Sequence, residues 1–486
     1  MQHVIRKQRI DLQLAKQLDS FRIQQQFSDQ FWKYLVPLLD HEFDKMATEE
    51  EVISLDRIEI DLGVITEAQI SQIVWNPDLY ELFKTEIKKA IFEEGALVGE
   101  GRQAVKRSIS GHAYLQWIFY MQRGYLPWSL TQVNAQWYDQ VMEELATDYA
   151  STAVLRREIR ENETFLLRII RQHPLSFLIK LVEILTAEKQ NQLFTAVHQL
   201  HDRLSDWSII GQKSRSSKKS AELIRVFQQR YEEIWTAILR ISTQTNGTAL
   251  FVAFESRIQE MIKAAELGKT DVISGTSLLE AIHKEPYKSF PEERGTLEEK
   301  EEEKKLEDIL RDAIGDEGVF TTHAGLVLIH PFLNSLFQLL GLLQEKRFLH
   351  VAAQEKAVYL LHYLATGENK ADEYELLMPK ILCAYPIDQP IPGRMKLSDE
   401  EMEEADTLLK AAIASWDILK NTSPAGLREG FLQRSGKLQV RDGKIGLQVE
   451  KAVIDVLLDH LPWNLSIIKL PWLREVVQVE WRSKKI

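Results

Sequence analysis

The chain has 486 residues, 44% hydrophobic and 27% charged, with a net charge of −12, enough for about two to four globular domains each with its own core. The acidic balance argues against nonspecific binding to nucleic acid, which requires Lys and Arg at the phosphates. A single cysteine, Cys383, excludes an intramolecular disulfide and fits a reducing cytoplasm.

Met1 to Leu14 is charged and alternating, without the apolar core of a signal peptide. Its end, Ile10-Asp11-Leu12-Gln13-Leu14, has the period of a half-buried strand. Ser20 to His41 carries Phe27, Phe31, Tyr34, Leu35, Leu38 and Leu39 on one helical stripe, which Pro37 should kink or split. Alternation returns at Ile53 and Leu55 and changes phase before Ile58, Ile60 and Leu62, so Asp56-Arg57 marks a β-bulge or a strand boundary. Asp56, Glu59 and Asp61 form the densest carboxylate group. On a strand Glu59 and Asp61 share a face about 7 Å apart, a spacing usable by a metal. The solvent face of a half-buried strand explains them better, with Arg57 as counter-charge. A helix from about Glu67 to Phe92 completes an α+β unit over 1–95.

Residues 96–283 read as a multi-helical middle. Apolar stripes recur at Tyr114–Met121, Thr164–Ile170, Leu175–Leu185, Leu223–Ile241 and Leu250–Ile262, with breaks at Gly124, Pro127, His173-Pro174 and Asn246-Gly247. No heptad persists long enough for a coiled coil. His198 and His201 stand three apart before Asp202, but nothing nearby completes a metal set. The basic run 211–220 lacks the aromatics of an RNA platform. Residues 284–308 include Glu298-Glu299-Lys300-Glu301-Glu302-Glu303-Lys304-Lys305, a run that cannot bury a core and reads as a charged linker.

The last region, 309–486, opens with His323–Leu343, which has no formally charged side chain. Its length would suit a membrane span. Its polar residues, and the amphipathic face formed by Leu333, Leu336, Phe337, Leu340 and Leu343, point instead to a core helix. Helices are expected near Glu355–Ala365, Tyr374–Cys383 and Asp399–Leu419, the last capped by Ser398. Asp442-Gly443 signals a hairpin between Leu438–Val440 and Ile445–Val449. Ala452–Leu461 reads as a helix and Val476–Trp481 as a final strand, and these strands are candidates to share a sheet with the N-terminal pair. The expected fold is mainly α, with small α+β units at both ends. No Walker A, dinucleotide, His-Glu-x-x-His or Gly-x-Ser-x-Gly pattern occurs, so no catalytic, cofactor or metal residue is assigned.

Two Leu-Pro-Trp tripeptides, Leu461-Pro462-Trp463 and Leu470-Pro471-Trp472, flank an apolar stretch. Packing of a terminal subdomain accounts for them by itself, since proline delimits elements and tryptophan buries a large face. Together with Asn421–Leu427, Phe431–Leu438 and Ile468–Trp472 they resemble the C-terminal signature of the tape measure protein family of extracellular contractile injection systems. Earlier blocks resemble the same family: Asp56–Gly63, His323–Leu333 and Lys380–Cys383. The resemblance covers 1–65 and 320–481.

It implies a non-enzymatic component that assembles in the cytoplasm, occupies the tube lumen and sets inner tube length from the baseplate. Its partners would be the inner tube protein and the spike or baseplate hub, with no nucleic acid and no membrane span. Trp and Arg are enriched at interface hot spots, so Arg428, Trp463 and Trp472 are the candidate docking residues. Eleven Trp and frequent helix breaks suit a compact body rather than a monotonous ruler. The alternative is therefore a folded assembly chaperone or baseplate adaptor.

Overall fold

In the computed structural model the described residues are 3–5, 8–14, 19–45, 48, 50–55, 58–66, 77–96, 105–130, 133–189, 194–199, 202, 231–244, 258–259, 318–393, 395, 397–419, 421–441, 444–473 and 475–481. The chain is mainly α-helical with small sheets. It divides into two compact units, one of 1–116 with 128–144 and one of 117–127 with 145–486. The charged run 284–308, the basic run 211–220, His201 and the phase change at Asp56-Arg57 lie outside the described residues.

In the first unit the helix Ser20–Gln30 starts on Asp19, whose carboxylate accepts from the amides of Phe21 and Arg22. It runs into a π-turn, Phe31–Leu35, and continues as Val36–Phe43. Proline lacks the N–H that an α-helix needs, and the wider π-turn just before Pro37 absorbs that loss. The stripe Ile23, Phe27, Phe31, Leu35, Leu38 and Leu39 is buried against Phe83 and Ile87 of the helix Pro77–Ala96.

The strand expected at Ile10–Leu14 does not form. Leu12 and Leu14 still pack on this core while Asp11 and Gln13 face out, so the alternation is realised without a ladder partner. Residues 58–63 behave alike, with Ile60 and Leu62 against the core and Glu59 and Asp61 exposed. β1 (Glu51–Ser54) pairs antiparallel with β2 (Val105–Ser108), a strand the sequence reading placed inside the helical middle.

The second unit contains helices Tyr149–Glu161, Glu163–Gln172 and Leu175–Thr186 and a helical stretch at 231–242. Its centre is the helix Val351–Thr366, buried almost all round from Ala353 to Ala365. The His350 ring caps its start, accepting from the Ala353 amide at 3.0 Å, and Gly367 at φ +78° ends it. His323–Leu343 is core, not span: a 3₁₀ segment Ala324–Ile329 leads into the helix His330–Leu339, burying Leu333, Leu336 and Phe337. Gly341 at φ +66° stops that helix, so Leu343 lies in β4 (Leu343–Gln344), paired with β5 (Arg347–Phe348), rather than on the helical face. No helix among the described residues is long and apolar enough to cross a membrane.

A five-stranded sheet covers the end of the chain in the order β3 (Val319–Thr321), β6 (Gly436–Arg441), β7 (Lys444–Val449), β9 (Val477–Glu480) and β8 (Ile467–Ile468). Only β7 and β9 pair in parallel. The hairpin stands where Asp442-Gly443 put it, with Arg441 opposite Lys444. The sheet takes no strand from the N-terminal region: Ile10–Leu14 forms none, and β1 pairs with β2 in a separate two-stranded ribbon. The segment expected to be an α-helix at Ala452–Leu461 is a 3₁₀ helix, Val453–His460.

Candidate docking region

The C-terminal blocks that carry the family resemblance are dispersed in sequence and meet in space. Ser423 caps the turn Pro424–Leu427, its hydroxyl accepting from the Gly426 amide at 3.1 Å. The chain then widens into a π-turn, Arg428–Leu432, that buries Phe431 against Trp416, with ring centroids 5.1 Å apart. Backbone packs directly on backbone here. A Cβ added at Gly325 would lie 1.8 Å from the Phe431 carbonyl oxygen, and one at Gly436 would lie 2.4 Å from Ala324 Cβ. The Ala324 amide donates to the Arg434 carbonyl at 2.9 Å, closing the contact. Glycine is the residue that permits such approach.

Each candidate docking residue is held by another element. Arg428, with a side chain 12% exposed, donates to the Leu364 carbonyl at 3.2 Å and to Asp406 at 2.7 Å, and lies 5.3 Å from the Tyr363 ring. It thus satisfies the carbonyl end of the central helix, where a cation is favoured. Trp463, half-buried, donates its indole N–H to the Leu328 carbonyl at 2.9 Å and stands edge-on to Phe332. Trp472, also half-buried, donates to the Leu382 carbonyl at 2.8 Å and packs against Phe337 and Phe348. The two Leu-Pro-Trp turns therefore pin the last segment to the His323–Leu333 and Lys380–Cys383 blocks.

A buried charge cluster lies at the Lys380–Cys383 block. Glu373 accepts from Arg168 Nε at 3.0 Å and from Lys380 Nζ at 2.6 Å, and all three side chains are at most 1% exposed. Arg168 also donates to the carbonyls of Met121 and Asp388, and Lys380 to that of Gln389. Burial pushes the Lys380 ammonium below its ordinary range, against the pull of Glu373. Sequence reasoning found neither Arg168 nor Glu373, which stand far apart in the chain and carry no local pattern. Cys383 is buried, and its thiol is pushed up by burial, as befits a core residue.

Elsewhere, Asp61 accepts from the Gly63 amide at 2.9 Å, and His198 is exposed. Among the described residues no group of His, Cys, Asp and Glu is placed to hold a metal.

The family model described as contractile injection system tape measure protein matches residues 2–481. The chain belongs to that family. The match includes the middle region, where no separate block carries the resemblance. No curated protein and no solved structure in the comparisons matches the chain. As a tape measure family member, it has a structural and assembly role in a contractile injection system, in association with tube and baseplate components.

Proposed function

We propose that this chain sets the length of the inner tube, anchored at the baseplate and enclosed in the tube lumen, after assembling in the cytoplasm. The observation that carries the reading is the family match over nearly the whole chain, middle included. Fully helical, 486 residues reach about 730 Å at about 1.5 Å each. Folded segments contribute less, so the length-setting part is sought in the middle. Arg428, Trp463 and Trp472 are proposed to serve docking to the hub or tube protein chiefly by holding the terminal segment in shape, since their polar atoms are engaged within the chain.

Arg168 favours a second reading. It belongs to the middle of the chain, yet it is bound at Glu373 in the core of the second unit, as a folded adaptor or assembly chaperone requires. Deleting about thirty residues from 245–283, which leaves the packed helices up to Thr186 and the stretch 231–242 intact, separates the two. A straight helical ruler shortens the tube by about 45 Å, whereas an adaptor leaves tube length unchanged and alters particle number. Electron micrographs of particles that retain the truncated chain decide it, and an unchanged length overturns the ruler.

A further inference from the structure

The loop 384–393 contains Pro386, Pro390 and Pro392, which donate no backbone hydrogen bond, and side chains take up its carbonyls instead. From the C-terminal core, Gln354 donates to the carbonyl of Ala384, Tyr359 to that of Pro392 and Lys380 to that of Gln389. Arg168 and Arg171, on the helix Glu163–Gln172, donate to those of Asp388 and Pro390, each at 2.6 Å. Gln172, on the same face of that helix, accepts from the Glu373 amide at 3.0 Å, while its Nε2 is buried without a hydrogen-bond partner. Polar groups thus make this joint between the middle helices and the C-terminal core.

The apolar residues divide differently. Phe165 and Phe177 pack around Trp117, with ring centroids 6.1 and 5.9 Å away, and the buried C-terminal cluster includes no described residue of 149–186 or 231–242. Arg156 donates to the carbonyls of Leu185 and Ser242, tying those helices into one body. The segment 117–127 touches both bodies, since Tyr125 belongs to the C-terminal cluster.

Charge balance decides what separation leaves behind. In the closed arrangement one buried carboxylate, Glu373, serves two buried cations. Burial holds the Lys380 ammonium low, Glu373 draws it up and Arg168 pushes it down again. Once the bodies part, Lys380 keeps Glu373, bonded at 2.6 Å, on one side, and Arg171 keeps Glu232, bonded at 2.7 and 2.9 Å, on the other. Arg168 exchanges its carboxylate for water, and no buried carboxylate is stranded.

We infer that Arg168, Arg171 and Gln172 form a release latch: the helices of 149–186 and 231–242 leave the loop 384–393 as one body while the C-terminal core stays folded. The chain then has a closed form and an open one. This rests on the chain's own charges and not on its setting tube length.

The test is hydrogen exchange of the full chain, read at residue resolution by mass spectrometry. The Glu373 amide reports the latch, because its acceptor lies across the joint, and the amides of Val351–Thr366 report the core. In the parent, Glu373 should exchange through an opening that leaves both Val351–Thr366 and Glu163–Gln172 protected. Arg168→Met removes the crossing ion pair but keeps Lys380 on Glu373, so exchange at Glu373 rises by about tenfold or more while the core is unchanged. Lys380→Met acts the other way: opening would strand Glu373 without a cation, so its exchange slows by about tenfold or more. Faster exchange at Glu373 in Lys380→Met, equal acceleration of Glu373 and Val351–Thr366 in Arg168→Met, or no change in either variant would overturn the latch. Failure of Arg168→Met to fold would make the joint a permanent part of the core and overturn it equally.

Discussion

Gly325 lies so close beneath Phe431 that a side chain at 325 would overlap the Phe431 carbonyl oxygen, 1.8 Å from where its Cβ would stand. The overlapped atom is backbone on a buried π-turn, so no rotamer change relieves it. Gly325→Ala should therefore destabilise the chain by about 1–3 kcal/mol or more. Chemical denaturation followed by tryptophan fluorescence measures this, and an unchanged midpoint would refute the close packing.

Glu373 is the shared acceptor of two buried cations, and the three positions are not equivalent. Glu373→Gln leaves Arg168 and Lys380 without their counter-charge, a loss of about 3–5 kcal/mol. Lys380→Met leaves a one-to-one Arg168–Glu373 pair and removes an ammonium that burial already disfavours, so it should cost clearly less. Equal losses in the two variants would contradict the geometry.

His173 makes stability depend on pH in a definite direction. Its Nε2 accepts from the Trp117 indole at 3.0 Å and its Nδ1 lies 3.0 Å from the Ile169 carbonyl, so the neutral ring is protonated on Nδ1. Burial pushes its pKa down from 6.5 to about 4. The unfolded chain therefore takes up the proton first as pH falls. Stability is complete above about pH 6.5 and is lost between there and pH 4, by about 3 kcal/mol at roughly 1.4 kcal/mol per unit. Urea midpoints from pH 7.5 to 4.5 should fall less steeply in His173→Gln, while His323 and His330, also lowered by burial, retain part of the slope.

Trp463 tests docking against shape. Trp463→Phe keeps a ring beside Phe332 but leaves the Leu328 carbonyl without its indole donor, at about 1–2 kcal/mol. Purified hub or tube protein should bind this variant as it binds the parent as long as the chain is folded. Binding lost at full stability would make the indole a direct contact.

Proteolysis probes the charged run. The first cleavage is expected between Lys284 and Lys305, where the sequence cannot supply a core. The two products should then elute together, because Arg168 on one side is bound to Glu373 on the other. Separation of the fragments without denaturant would show the buried cluster too weak to join them.

Local rules carried much of this chain into view. Period and capping located the stripe from Phe27 to Leu39, the cap at Ser398, whose hydroxyl and Glu401 complete a capping box, and the hairpin at Asp442-Gly443. Each of these depends on residues within a few positions of one another. Where alternation alone spoke, as at Ile10–Leu14, burial came true and the ladder did not. Alternation records which side chains face a core, whereas a strand also needs a partner for its backbone.

By itself the sequence determined a mainly helical chain, the resemblance of its ends to one family, and the blocks that bear it. Tertiary structure alone decided how those blocks meet: glycines admit close approach of backbone, and the indoles of Trp463 and Trp472 reach carbonyls 135 and 90 residues away in sequence. It also decided that Arg168 meets Glu373, and that Val453 and Val456 face outward. A 3₁₀ turn and an α-turn share the same local sequence preferences but aim their side chains differently, and contacts between distant residues leave no period in a sequence to read.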